Sequence, residues 1–261
     1  MYSDILYEIK NYVGKITLNR PEQLNAWTIH TKEEFTSALK FLEKDKQVKV
    51  IVITGVGHRA FCAGQDLHES KELKPDNVLD WITGFDNLYW MIRHLEKPTI
   101  AAVNGAAVGS GWQLALLCDF RIASENARFA MTEIDVGFPC LIGSTLIYLT
   151  LGEALSKELI LTGKFLNAQE ALKVHLVNKV VPQEQLEETV NQLAQDLASK
   201  PPIAMMLNKK WFTRLSDQRY LAAISFAKEA HQIGYAAGEP KKAHEEFFAA
   251  RKANKNKSSQ K

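Results

Sequence analysis

The run from Thr99 to Gly143 reads TIAAVNGAAVGSGWQLALLCDFRIASENARFAMTEIDVGFPCLIG, and the rest of the chain is read outward from it. Thr99-Ile-Ala-Ala-Val103 is a short apolar run with β-branched residues, the pattern of a buried strand. Asn104-Gly105 ends it and Gly109-Ser110-Gly111 follows. Behind these glycines Trp112, Ala115, Leu116 and Cys118 supply the apolar positions of a short helix. The first amides of a helix lack intrahelical acceptors, and the helix dipole favours negative charge there. Glycine lets a ligand approach the backbone closely. The run therefore predicts an anion site built from main-chain atoms, set against a tight turn that holds nothing.

Spacing excludes the familiar versions of such a site. A dinucleotide fingerprint requires glycine where Leu114 stands, and a P-loop requires lysine where Trp112 stands. A nucleophile elbow requires glycine at Val108. A second stretch repeats the pattern: Val50-Ile-Val-Ile-Thr54 reads as a buried strand, closed by Gly55 and Gly57. It is followed by Ala60-Phe-Cys-Ala-Gly-Gln-Asp66 and a helix start with Asp66 in its first turn. Two such loops in one domain can each offer an amide to a single oxygen.

The pair Phe61-Cys-Ala-Gly-Gln-Asp66 and Asn104-Gly-Ala-Ala-Val-Gly-Ser-Gly111 resembles the crotonase superfamily, the enoyl-CoA hydratase/isomerase family. The likeness extends to Asn19-Arg-Pro-Glu-Gln-Leu-Asn-Ala26, Cys118-Asp119, Met131-Thr-Glu-Ile-Asp-Val-Gly137 and Leu161-Thr-Gly163, and so spans nearly the whole chain. It implies an α/β fold with a β-β-α spiral core and a helical C-terminal trimerisation region. We expect the core over residues 1–195, the helical region over 196–251 and a disordered basic tail over 252–261. It also implies an acyl-CoA thioester substrate, with coenzyme A as part of that substrate and no tightly bound cofactor, and assembly as a homotrimer or a dimer of trimers.

Composition sets the outer bounds. With 261 residues, 46% of them apolar, the chain can bury one large core. It has no apolar stretch of membrane-spanning length, and MYSDILYEIK lacks a basic region before an apolar one. Three cysteines, an odd count, fit reduced core thiols better than bridges. A net charge of +2 gives no reason to expect nucleic acid. No histidine shows zinc-site spacing, so no metal is expected. A soluble cytoplasmic protein is the expectation.

In order along the chain, Ile5–Lys10 and Val13–Leu18 read as a hairpin turning at Asn11-Tyr12. Phe35, Ala38, Leu39 and Leu42 mark an amphipathic helix over Thr28–Lys44. His68 to Asp76 is charged and reads as a mobile flap. Trp81, Ile82, Phe85, Leu88, Tyr89 and Ile92 mark another helix, stopped before Pro98. Alternating strands and helices argue for right-handed crossovers and a largely parallel sheet. After Gly143 helices dominate, among them Gln183 to Ser199, then Ile203 to Arg214, Arg219 to Ala237 and Lys241 to Arg251.

The resemblance assigns roles residue by residue. The oxyanion donors would be the backbone N–H groups of Gln65 and Ser110, and Glu133 the acid/base. Gln113 stands where hydratases of the family usually carry a second glutamate. Glutamine can hydrogen-bond a water but cannot take its proton. A single carboxylate resembles the family's isomerases, so double-bond isomerisation leads. Hydration of a trans-2-enoyl-CoA and a catalytically weak CoA-binding scaffold are the alternatives. Asn25, Ala26, Ala63, Gly64, Asp66, His68 and Gly109 are the expected coenzyme A contacts, with His68 where a lysine often meets phosphate. Trp112, Met131 and Phe138 are candidate acyl-pocket residues, and Phe138-Pro-Cys-Leu141 replaces a usual run of small residues.

Overall fold

A computed structural model describes residues 2–74 and 76–258, with 251 and 253–258 described as backbone only. Strands β1 (Ile5–Lys10) and β2 (Val13–Leu18) form the expected antiparallel hairpin. Asn11 and Tyr12 both adopt positive φ at its turn, which matches the twist of the flanking strands. Helix α1 (Ile29–Lys44) begins with a reciprocal cap between Thr28 and Thr31 and buries Phe35, Ala38, Leu39 and Leu42.

Three strand-strand-helix turns follow. Strands β3 (Val50–Gly55) and β4 (Ala60–Cys62) precede α2 (Leu67–Ser70) and α3 (Val78–Arg93). Next come β5 (Thr99–Val103), β6 (Ala106–Val108) and α4 (Ser110–Leu117). The third turn is β7 (Phe120–Ser124), β8 (Arg128–Ala130), a 3-10 turn over Glu133–Val136 and α5 (Leu141–Leu151). The first strand of each turn joins one sheet and the second strand joins another. With α6 (Glu153–Thr162), β9 (Leu166–Asn167), α7 (Ala168–Lys173) and β10 (Lys179–Val181) added, the sheet orders are β1-β2-β3-β5-β7-β10 and β4-β6-β8-β9. Among the described residues only the β1–β2 and β8–β9 pairs are antiparallel. This is the β-β-α spiral, and it needs two sheets where strand-helix alternation alone predicts one.

The second sheet is built from strands of only two or three residues. Asparagine side chains hold the points where the chain passes between sheets. Asn104 Nδ2 donates to Gly55 O at 2.8 Å and Gly57 O at 2.6 Å, while its Oδ1 accepts from Gly55 N. Asn25, at φ 56°, donates to Val56 O and Ala60 O and accepts from Arg20 N.

The C-terminal half departs from expectation in two places. After α8 (Leu186–Ala198), a single helix α9 runs from Pro202 to Ala236 where two were expected. The polar stretch read as a break is an ion-pairing face: Arg93 on α3 donates to Ser216 Oγ at 2.9 Å and Asp217 Oδ1 at 3.0 Å. Helix α10 (Glu239–Ser258) continues past Arg251 into the segment assigned to a tail, and 259–261 lie outside the described residues. No helix among the described residues is long and apolar enough to cross a membrane.

Candidate active site

A cavity of about 700 Å³ opens where the two glycine loops, α3, the 3-10 turn and α9 meet. Its first wall is the loop after β4. Trp27 and Gln65 form an isolated parallel bridge in which Trp27 N–H donates to Gly64 O and Asp66 N–H donates to Trp27 O, both at 3.0 Å. In a parallel bridge of that pattern the N–H of Gln65 faces away from Trp27. Among the described residues it has no protein acceptor. Gly64, at φ +88°, allows the chain to turn there.

The second wall is the start of α4. The first intrahelical donor is Gln113 N–H to Gly109 O at 3.0 Å, which leaves the Ser110 N–H without a protein acceptor among the described residues. The two loops touch: a β-carbon added at Gly64 would lie 3.4 Å from Ser110 N and 2.7 Å from Val108 O. Ser110 is pinned by Trp27 Nε1–H, which donates to its Oγ at 2.9 Å, and by the Tyr89 hydroxyl, which donates to its carbonyl at 3.3 Å. Its hydroxyl therefore has a structural partner, and no base adjoins it.

The Gln65 side chain belongs to a network that the sequence did not disclose. Its Nε2 donates to Glu69 Oε2 at 2.6 Å, and Glu69 also accepts from Ile29 N–H at the start of α1. The Lys32 ammonium lies 3.8 Å from the Phe85 ring centroid and 3.5 Å from Gln65 Oε1. Burial pushes its pKa down to about 8, against the attraction of Glu69.

Glu133 opens the 3-10 turn, and its Oε1 accepts from Gln113 Nε2 at 2.7 Å. Gly109, at φ +53°, faces it: a β-carbon there would come within 3.4 Å of Oε1. Oε2 is buried and has no hydrogen-bond partner among the described residues. Burial raises the pKa of this carboxyl, opposed by its own backbone N–H, the Cys140 thiol and the Gln113 amide, which all favour the ionised form. Cys140 Sγ also lies 3.7 Å from Gln113 Nε2. The buried thiol is itself raised well above its ordinary range, first by desolvation and then by the adjacent carboxylate. Such a site can hold an ionised carboxylate beside two unpaired amides, and a carboxyl with a raised pKa can both take and return a proton.

Most of the expected contacts come together here. Ala26, Ala63, Gly64, Gln65, Asp66, His68, Gly109, Ser110, Gln113 and Glu133 all line the cavity. Asn25 does not, which corrects its assignment: it is buried, and its side chain braces the loops between sheets. Asp66 lines the wall but is already engaged. One oxygen pairs with Arg20 at 3.2 Å and the other caps α2 through His68 N–H. The His68 ring packs 4.9 Å from Phe248 on α10, so the segment read as a flap is covered by the C-terminal helix. Phe138 joins the lining, whereas Trp112 and Met131 are core residues outside it. Arg59 is the only lysine or arginine among the described lining residues. No group of three or more potential metal ligands is found among the described residues.

The sequence reading missed Lys32, Arg59, Cys140 and His231. Only Cys140 carried a local signal, as part of the Phe138–Leu141 departure. Arg59 and His231 reach the cavity, and Lys32 the Gln65 side chain at its edge, through tertiary packing.

Comparison with known proteins gives the family. The model of the enoyl-CoA hydratase/isomerase family matches residues 8–257. The chain is 34% identical to a short-chain-enoyl-CoA hydratase of Clostridium acetobutylicum, covering 96% of each. It is 36% identical to a mitochondrial enoyl-CoA hydratase of Pongo abelii, covering 94% of this chain and 83% of that one. Among solved structures, an enoyl-CoA hydratase/isomerase from Xanthobacter autotrophicus Py2 superposes with a TM-score of 0.85 at 30% identity, covering 96% and 99%. With a matched fold and a family model spanning nearly every residue, the chain belongs to the enoyl-CoA hydratase/isomerase family of the crotonase superfamily.

Proposed function

We propose that the cavity isomerises the double bond of an enoyl-CoA by proton transfer through Glu133 alone. The observation that carries this reading is the Gln113 amide 2.7 Å from Glu133 Oε1, with Oε2 left unpartnered. An amide supplies a hydrogen bond but no second base, so water activation between paired carboxylates is absent. With a 3-enoyl thioester, Glu133 takes a proton from carbon 2, and charge flows to the thioester oxygen. The Gln65 and Ser110 N–H groups stabilise that enolate, one such donor contributing about 2.7–4 kcal/mol. The same carboxyl then returns the proton to carbon 4. Ala26, Ala63, Gly64, Asp66, His68 and Gly109 flank the coenzyme A portion, and Arg59 is the cation available to its phosphates.

Hydration is the second reading, favoured by the names of the relatives, which are hydratases at 33–36% identity. In that case Gln113 and Glu133 would hold the water together and Glu133 alone would take its proton. Offering the purified protein a trans-2-enoyl-CoA and a 3-enoyl-CoA separates the two. Conversion of the 3-enoyl ester without appreciable hydration supports isomerisation. Rapid hydration of the 2-enoyl ester overturns it, and tight binding without turnover of either supports a scaffold.

The reading includes self-association as a trimer or a dimer of trimers, supported by the apolar side chains that α9 leaves exposed. A cytoplasmic location is consistent with the free state of Cys62, Cys118 and Cys140.

A further inference from the structure

The wall of the cavity around His231 is aromatic and aliphatic apart from the His231 ring and the Trp81 indole N–H, which is buried with no hydrogen-bond partner among the described residues. His231 on α9 is 6% exposed and lines the cavity with Ala227, Trp81 and Phe138. Its ring lies 6.0 Å from that of Trp81 and 6.2 Å from that of Phe138. Nδ1 lies 2.7 Å from the Ala227 carbonyl, and a carbonyl only accepts, so Nδ1 carries the hydrogen. Burial lowers the pKa of the ring, which keeps it neutral. Nε2 is then a bare acceptor, with no protein donor among the described residues.

This acceptor is continuous with the proposed catalytic end of the cavity. Phe138 N–H donates to the Glu133 carbonyl at 2.9 Å, so the ring beside His231 leaves the same turn that carries the carboxylate. An acyl chain with its thioester at the glycine loops and its reacting carbons at Glu133 runs along Phe138 towards His231. An acceptor held in an apolar wall costs free energy unless a donor reaches it. Purely hydrocarbon chains cannot supply that donor.

We infer that His231 is a specificity-determining residue that selects acyl groups carrying a hydroxyl at the end remote from the thioester, the hydroxyl donating to Nε2. The inference rests on the acyl-CoA reading above and extends it to a substrate class. A site that hydrogen-bonds a substrate hydroxyl discriminates against the analogue lacking it, because the protein acceptor is then left unpaired.

The test separates recognition from turnover. Equilibrium binding of saturated acyl-CoAs of graded length is compared with that of the same chains ending in a hydroxyl. At one chain length the hydroxyl should tighten binding about tenfold. His231→Leu should abolish that preference by binding the plain chains more tightly and the hydroxylated ones less tightly than the parent, and should melt no lower than the parent. His231→Gln should retain the preference, since its Oε1 falls near the place of Nε2. Equal binding of plain and hydroxylated chains at every length overturns the inference, even if the leucine variant does not fold. So does a leucine variant with normal melting that weakens both ligands alike, which would assign the histidine to packing alone. Failure of the parent to bind any acyl-CoA overturns the acyl-CoA reading with it. A hydroxyl preference without turnover of any enoyl-CoA leaves His231 in its role and refutes only the proposed reaction.

Discussion

Gln113 and Glu133 divide the work that two carboxylates would otherwise share, and the division has a measurable sign. Burial favours the neutral carboxyl of Glu133, while the Gln113 amide and the Cys140 thiol favour the ionised one. Proton abstraction requires the ionised form, so activity falls as pH drops through the raised pKa. The acidic limb of kcat should therefore lie above the ordinary carboxylate value of 4.5. Gln113→Leu removes a donor to the carboxylate and should move that limb to higher pH, read from kcat profiles of both proteins. Stability responds in the matching direction. A carboxyl whose folded pKa is raised binds its proton more tightly in the native state, so its favourable contribution is fully present below the unfolded value and is lost as pH rises through the folded one. Glu133→Gln abolishes that loss. It should lower kcat at least about a hundredfold, since general acid–base groups contribute on the order of 10²–10⁴. Binding of acyl-CoA should be nearly unchanged and the melting temperature at neutral pH equal or higher. A variant with normal kcat would remove Glu133 from the reaction.

The amides that face the cavity are held by backbone approaches too close for side chains. A β-carbon at Gly111 would lie 2.1 Å from Cys62 O and 2.7 Å from Cys62 C, so α4 packs directly on the end of β4. Gly111→Ala must push α4 away from β4 and separate the Ser110 amide from the loop that carries Gln65. Overpacking a core position costs about 1–3 kcal/mol, and here the obstacle is backbone, which yields less than a side chain. Urea denaturation should show a loss at or beyond the upper end of that range, with turnover falling further than stability explains. This approach also shows what could be read from the chain alone. Gly109, Ser110, Gly111 and Gly64 were legible because glycine spacing reports a backbone requirement directly. The three-residue strands β4, β6 and β8 were not, since runs that short carry no periodicity. Asn25 was misassigned because a motif position does not reveal whether a side chain turns to the ligand or to neighbouring carbonyls. Arg59 and His231 reach the cavity from the loop before β4 and helix α9, and Lys32 on α1 reaches the Gln65 side chain behind it, so only the folded chain brings them together. The unbroken α9 was missed because Ser216 and Asp217 resemble a linker until Arg93 is seen to bind them.

The outer face of α9, whose other face packs on α3 and α5, is the surface we propose for self-association. Ile203, Leu207, Trp211 and Leu215 recur every four residues and are 65, 57, 59 and 62% exposed, with Phe212 beside them at 71%. A contiguous apolar stripe on that scale marks an interaction surface in an otherwise mixed-charge protein. Charge gives the chain no strong self-repulsion to oppose association, since the net value is +2. Covering a large aromatic or aliphatic side chain contributes about 1.5–3 kcal/mol, and aromatic rings dominate interface energetics. The protein should therefore run in light scattering as a closed oligomer at micromolar concentration, a trimer or twice that. Trp211→Glu together with Phe212→Glu places charge in the centre of the stripe, where desolvation of an unpaired carboxylate is costly. The double variant should shift to monomer, and its melting temperature should lose the concentration dependence expected of a linked assembly. A parent protein that remains monomeric across that concentration range would show that the stripe faces something other than a copy of itself.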